Sequence, residues 1–294
     1  MNISFEFFPA KDKQSENSLW ESFKKLEKFK PKFVSVTFGA GGGERDKSDS
    51  LVKKIKSNSN IEVAGHLTCV GMTKNEINNI SLEWLKNGIN KIVALRGDIR
   101  EKNGKYKPHP EGYINAADMV KGLKKIGNFK IAVAGYPEKH PDSKNEKEDL
   151  DNLKHKVDQG ADRVITQFFF DEEKFLRFRD QCIKFKINVP IIPGILPITS
   201  YEKVKNFSKN CGATVPNWIK KEFDGLDQDP AVQQFVGASI ATDLVKKLKT
   251  EGVNEFHFYT LNKYELTYAV CKRLLAKNNI KLTEKINKNR EAQI

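Results

Sequence analysis

The chain has 294 residues, 38% hydrophobic and 10% aromatic, enough apolar content to bury a sizeable core in one or two domains. Its formal charge of +13 suggests polyanions. However, the lysines recur at helical spacing (LVKKIKS, VKGLKKI, LVKKLKT), where solvated helix faces lie, and no basic block with interleaved aromatics marks a nucleic-acid site.

The opening MNISFEFFPAKDK lacks the basic start, apolar stretch and cleavage site of a signal peptide, and no apolar run is long enough to span a bilayer. Cys69, Cys182, Cys211 and Cys271 show neither C-x-x-C nor zinc spacing. The expectation is a cytoplasmic protein with no membrane partner, no nucleic-acid partner and no metal.

In chain order, eight short segments rich in β-branched and aromatic residues read as buried strands: 3–9, 33–39, 62–68, 91–98, 130–137, 163–170, 189–195 and 255–261. Lysine-studded segments of helical periodicity separate most of them, such as 17–30 and 173–185. The longest gap, 196–254, holds extra helical material, with Asp229-Pro230 reading as an N-cap and first helical residue. Eight such alternations predict a single-domain (β/α)₈ barrel over 1–280, with extra helices before the last strand and a fraying tail over 281–294.

Strand side chains alternate in direction, so parity sorts them between lumen and helix layer. Ile3, Phe5 and Phe7 alternate with Ser4, Glu6 and Phe8; Val34 and Val36 with Ser35 and Thr37; Val63 and Leu67 with Ala64, His66 and Thr68; Val93 and Leu95 with Ala94, Arg96 and Asp98. The branched apolar sets suit the helix layer. The small and polar sets then face inward, their polar members late in each strand at the C-terminal mouth, where barrel enzymes keep their sites. Tyr136 and Gln167 extend the pattern.

Glu6 lies among phenylalanines in FEFF, and an apolar neighbourhood disfavours the charged form of a carboxyl group and keeps it a proton donor. A structural carboxylate is an equal alternative. Arg96-Gly97-Asp98 places opposite charges around a glycine that lets backbone approach a ligand, though an internal salt bridge is the commoner outcome. A lone His66 is more often a satisfied core histidine than a ligand. The loop GAGGGER (39–45) fails the dinucleotide-binding pattern, with Glu44 where the third glycine belongs, and reads as a mobile loop at the mouth. Asp149, Asn152 and Lys156 share one helix face, either solvated or a phosphate- or ribose-binding edge.

Taken in order, SFEFFPAK, PKFVSVTFGAGG, HLTCVGMT, GINKIVALRGD, AVAGYPEKHPDS, DLDNLKHKVDQGADRVITQFFFD, IIPGILPITS and HFYTLNK closely resemble the methylenetetrahydrofolate reductase family in its short bacterial form, from residue 4 to about 270. The resemblance implies a non-covalent FAD at the barrel mouth, reduced by NADH or NADPH. Methylenetetrahydrofolate would then accept the hydride, giving 5-methyltetrahydrofolate for methionine synthesis. It also implies Glu6 as the acid toward folate N10 and Asp98 beside the flavin pyrimidine. Thr37, Phe38, Ala40, His66, Arg96, Gly97, Ala134 and Tyr136 would line the isoalloxazine and ribityl part. Ala116, His140, Asp149, Asn152, His155 and Lys156 would hold the diphosphate and adenosine. Gln167 would bond the pterin, Phe207 would stack on folate or nicotinamide, and Lys263 would grip the folate.

The chain departs from the family pattern at His155 and Lys263, where arginine is usual, and at Phe38, where tyrosine is common. The segment after Asp98 is longer than usual, so a family tyrosine aligns with either Tyr113 or Asn115. Relatives form homo-oligomers, and the same is expected of this chain. A folate- or corrinoid-linked methyltransferase barrel, or a nucleic-acid-binding protein, would lack the flavin.

Overall fold

The computed structural model describes residues 1–39, 42–97 and 106–275. Eight strands are present: β1 (Asn2–Phe7), β2 (Phe33–Val36), β3 (Val63–Thr68), β4 (Lys91–Leu95), β5 (Lys130–Gly135), β6 (Arg163–Phe168), β7 (Ile191–Ile195) and β8 (Glu255–Tyr259). Each pairs in parallel with its sequence neighbours, and β8 returns to β1 over Asn2–Glu6 and Glu255–Tyr259, closing the barrel. This is the predicted (β/α)₈ barrel. Several strands stop two or three residues before the apolar signal does. Phe169 and Phe170, for example, remain buried after β6 has ended: Phe169 turns into the layer between sheet and helices and stacks on Phe175, and Phe170 packs under the helices above the mouth.

The helices are α1 (Lys13–Leu26), α2 (Gly42–Asn58), α3 (Lys74–Lys86), α4 (Ala116–Ile126), α5 (Glu146–Asp158), α6 (Glu172–Lys184), α7 (Tyr201–Cys211), α8 (Asn217–Phe223) and α9 (Pro230–Thr250), and the chain is again helical over 265–275. Side-chain caps fix where several begin. Asp12 and Ser15 form a capping box on α1, and Thr73 and Glu76 form another on α3. Asn115, Asn145 and Asp171 cap α4, α5 and α6. Asp229 stands at the N-cap position of α9 with Pro230 next, as expected, but its side chain makes no capping bond.

Three apolar clusters position the site. The largest lies between sheet and helices and holds Phe5, Phe7, Val34, Val36, Leu67 and Phe258. Trp84 fits there because β3 carries Gly65, where a Cβ would come within 2.2 Å of the indole. Phe33, Ala64, Val93, Ala132, Ile165 and Ile192 form a floor inside the barrel. Phe168, Phe170, Leu196, Val204, Ile219 and Phe223 pack α7 and α8 over the mouth, while α9 contributes Ala241, Val245 and Leu248 to the outer layer. The extra helical material of the 196–254 gap therefore divides into a mouth cover and an ordinary layer helix.

Parity holds in β1, β2 and β3 and fails in β4. Val93 belongs to the floor and packs with Leu95 inside the barrel, whereas Ala94 joins the outer core. An apolar floor makes both faces of a barrel strand hydrophobic at that depth, so branching alone does not reveal direction. The lysines behave as solvated helix positions: Lys53 pairs with Asp49 and Glu83, and Lys54 with Glu16. No described helix is long and apolar enough to cross a membrane. The expected tail, 281–294, lies outside the described residues.

Candidate active site

Glu6 is the fifth residue of β1, and its period-two direction takes it into the lumen near the mouth. Phe5 and Phe7, its sequence neighbours, point the other way into the helix layer. The apolar surroundings read from FEFF are thus not its surroundings. Its carboxyl faces two imidazoles, with Oε2 3.6 Å from His66 Nε2 and 3.9 Å from His257 Nε2. Ser4, two residues back on the same inward face, lies 2.8 Å from His257 Nδ1, and the His257 ring stacks on Phe33 at 5.8 Å. The serine bond and the stack orient His257 with Nε2 toward Glu6. Tyr259 closes the far side, its hydroxyl donating to the Thr166 carbonyl at 2.7 Å.

Burial dominates the electrostatics here. Desolvation lowers the His66 pKa to about 4 against a smaller upward pull from Glu6, so at neutral pH the ring carries no charge. Its Nε2 is buried without a hydrogen-bond partner, as is Thr68 Oγ1. Burial likewise pushes the Tyr259 phenol well above its ordinary value, with the nearby Glu6 adding to the effect. Glu6, His66, His257 and Tyr259 line a cavity of about 280 Å³ with Thr37, Phe38, Gln167 and Phe207. Gln167 Oε1 accepts from the Phe168 N–H, which leaves its NH₂ as the donor available to a ligand. Phe207, 44% exposed on α7, stacks on Phe168 with centroids 5.4 Å apart and overhangs the opening.

A second cavity, of about 490 Å³, adjoins the first across Leu95, Ala134 and Tyr136, which line both. It lies between the ends of β4 and β5 and the face of α5. Asp149, Asn152, His155 and Lys156 all border it, so the helix face left open between solvent and ligand edge faces this cavity. Asp149 is committed to shaping the wall, accepting from the His140 N–H at 3.1 Å and the Ser143 hydroxyl at 3.0 Å. The Lys156 ammonium is enclosed and donates to the Ala134 carbonyl at 2.6 Å. Its burial lowers its pKa to about 8, opposed by Asp149 and assisted by Arg96. The neighbouring His140 is lowered too, chiefly by burial and then by Arg96.

Arg96 donates to Asp142 at 2.6 Å and holds that carboxyl below its ordinary range. Gly97 has φ +84°, and a Cβ there would come within 2.5 Å of Val70. The glycine therefore serves a left-handed turn packed against the end of β3, a tighter demand than the ligand approach expected of it.

The structure brings Glu6, Thr37, Phe38, His66, Gln167 and Phe207 to the first cavity, and Arg96, Gly97, Ala116, His140, Asp149, Asn152, His155 and Lys156 to the second. Lys263 lines neither; it is exposed on the loop after β8. Ala40 and Asp98 lie outside the described residues. Of the two candidates for the family tyrosine, Tyr113 is buried against α3, bonding Asn78 at 2.7 Å, while Asn115 borders the second cavity. Sequence reasoning missed His257 and Tyr259, which the alternation in EFHFY would have placed inward. It also missed Tyr106, whose ring packs 4.9 Å from the Arg96 guanidinium at the second cavity and carries no periodic signal.

The methylenetetrahydrofolate reductase family profile matches residues 1–275. The 5,10-methylenetetrahydrofolate reductases of Pectobacterium carotovorum and Escherichia coli are each 50% identical over 274 residues, covering 93% of this chain and 90% of theirs. Among solved structures, a Clostridium thermocellum protein described as binding two copies of 5-methyl-5,6,7,8-tetrahydrofolic acid aligns with TM-score 0.63 and 15% identity, over 93% of this chain and 94% of that one. At that identity the likeness shows the fold alone.

Proposed function

The chain belongs to the methylenetetrahydrofolate reductase family, and from that premise we propose that it reduces 5,10-methylenetetrahydrofolate to 5-methyltetrahydrofolate with FAD as its cofactor. Electrons would come from NADH or NADPH in a ping-pong sequence, and the product would supply methyl groups for methionine synthesis. The observation that carries this reading is the pair of cavities joined along Leu95, Ala134 and Tyr136. One is a ring-sized space beside a carboxyl group, and the other is bordered by an enclosed lysine and two histidines. A flat redox ring attached to a diphosphate nucleotide has that shape and charge distribution.

The residues fit FAD by the chemistry of their donors. Lys156, His140 and His155 would meet the diphosphate, with Asn152 and Ala116 toward the adenosine end. Thr37, Phe38, His66, Arg96, Gly97, Ala134 and Tyr136 would surround the ring and ribityl chain, and the buried Nε2 of His66 would gain a partner there. Ala40 and Asp98, assigned by resemblance to the same group, complete the proposal. Bound FAD supplies the capacity to accept a hydride from the nicotinamide and deliver one to the methylene carbon.

The chain's own residues then manage binding and the proton. Phe207 overhangs the opening and would hold a planar substrate by stacking. The Gln167 NH₂ would donate to the pterin, and Lys263 would approach the folate from the loop after β8. Glu6 would protonate N10 so that the five-membered ring opens and exposes the electrophilic methylene carbon. His66, held neutral by burial, and the Ser4-held His257 offer ring nitrogens along which a proton can be resupplied to Glu6. Stopped-flow measurement tests the proposal. The purified protein should carry flavin absorbance that NADH or NADPH bleaches anaerobically and methylenetetrahydrofolate restores. A protein that binds no flavin, or a bleached flavin that the folate leaves unchanged, would overturn it.

A further inference from the structure

The loop that leaves β8 contains two consecutive non-glycine residues in the left-handed region, Leu261 at φ +51° and Asn262 at φ +56°. Asparagine tolerates that conformation, but a leucine does so only where its surroundings enforce it. Asn262 is buried, and its side chain grips the chain just beyond Glu6. Its Oδ1 accepts from the Phe8 N–H at 3.0 Å, and its Nδ2 donates to the Phe8 carbonyl at 2.7 Å. The Asn262 carbonyl accepts in turn from Ser22 of α1 at 2.8 Å. Thr260 adds a third grip, its hydroxyl donating to the Glu6 carbonyl at 2.6 Å while accepting from the Asn262 N–H at 3.1 Å.

Barrel closure does not require this arrangement. β1 and β8 already pair from Asn2 to Glu6, and the ladder ends at Glu6 opposite Tyr259. The amide of Asn262 extends that pairing by imitating a backbone partner for Phe8, at the cost of a strained turn. The segment held on both sides is Glu6–Phe8, whose side chains include the carboxyl at the lumen cavity. The same turn pushes Leu261, 41% exposed, into the wall of that cavity.

We propose that Asn262 is a positioning residue for the acid-dependent half of the reaction, clamping the backbone beyond Glu6 so that its carboxyl stays aimed into the lumen cavity. The inference rests on the folate reading above and adds a residue that touches neither substrate nor cofactor. It predicts a split between half-reactions, because hydride transfer from a nicotinamide needs no proton donor whereas opening the folate ring does.

The test uses full-length holoenzyme carrying Asn262→Gly or Asn262→Asp. Glycine takes the left-handed conformation freely, so this variant should fold with only the clamp lost. Aspartate is near-isosteric and keeps the acceptor for the Phe8 N–H while losing the donor to its carbonyl. Flavin bleaching by NADH or NADPH should stay within twofold of wild type in both. Reoxidation by methylenetetrahydrofolate should slow at least tenfold in Asn262→Gly and by an intermediate factor in Asn262→Asp. Melting temperature serves as the structural readout. Equal loss in both half-reactions that follows melting temperature, or an unchanged folate rate, would overturn the positioning role. A wild-type enzyme bleached by nicotinamide but not reoxidised by the folate would overturn the underlying reading, and this inference with it.

Discussion

In the lumen cavity, Glu6 meets two imidazoles and a phenol over an apolar floor, and burial keeps His66 and Tyr259 uncharged. In the neighbouring cavity between β4, β5 and α5, an enclosed lysine and two histidines border the open space, with Asp149 accepting from the His140 N–H and the Ser143 hydroxyl in its wall. The two share Leu95, Ala134 and Tyr136 yet differ in how they treat charge. On the proposed reading, the lumen cavity would move a proton and the other would hold an anion. One barrel mouth can do both because the βα loops and the inward strand positions are independent sources of side chains.

Removing the enclosed cation should have the largest effect. Lys156→Ala should weaken FAD binding by about 3 kcal/mol, roughly a hundredfold, since a charge-assisted contact is lost in a desolvated place. Fluorescence titration of apoprotein measures this, and a change below about threefold would deny the second cavity its anion-holding role.

Acid stability tests the other region. His66 is neutral in the fold with a pKa of about 4 against an ordinary 6.5, so the unfolded chain binds the extra proton first. Stability should fall as pH drops from about 6.5 toward about 4 and level off below that, by up to a magnitude on the order of 3 kcal/mol. His66→Gln should remove this component from a denaturation series. A series of unchanged shape would mean that the ring is not held neutral.

Lys156 offers a finer comparison in the alkaline direction. Its pKa of about 8 in the protein means the ammonium is lost above that pH, while a bound diphosphate favours the charged form. FAD affinity should therefore decline above pH 8 by at most about tenfold per pH unit, and Lys156→Ala should flatten the dependence. The smallest effect concerns Arg96, whose partner Asp142 is half exposed. Asp142→Asn should cost about 0.5–1 kcal/mol in FAD affinity, a few-fold change in the same titration.

The barrel was legible because eight apolar runs alternating with helical periodicity admit few other folds, and β1 shows how far parity carries. Period two put Glu6 in the lumen correctly. It also sent Phe5 and Phe7 outward, which removes the apolar neighbourhood that linear sequence suggested. The α5 face was legible as a set of residues but not as a site, because only the fold determines whether a polar helix face meets water or a cavity. Val93 and Leu95 were misdirected because the floor of a barrel is as apolar as its outer layer. His257 and Tyr259 were hidden by resemblance to core aromatics, although the alternation that placed Glu6 places them too. The Arg96–Asp142 pair joins residues 46 apart in sequence and had no local signal.

On the proposed reading, the lumen cavity would supply a proton that the nicotinamide half-reaction does not need. Anaerobic stopped-flow on Glu6→Gln tests it most directly. NADH or NADPH should still bleach the flavin at close to the wild-type rate, while methylenetetrahydrofolate should no longer restore its absorbance. Equal slowing of both half-reactions, or unimpaired reoxidation by the folate, would contradict it.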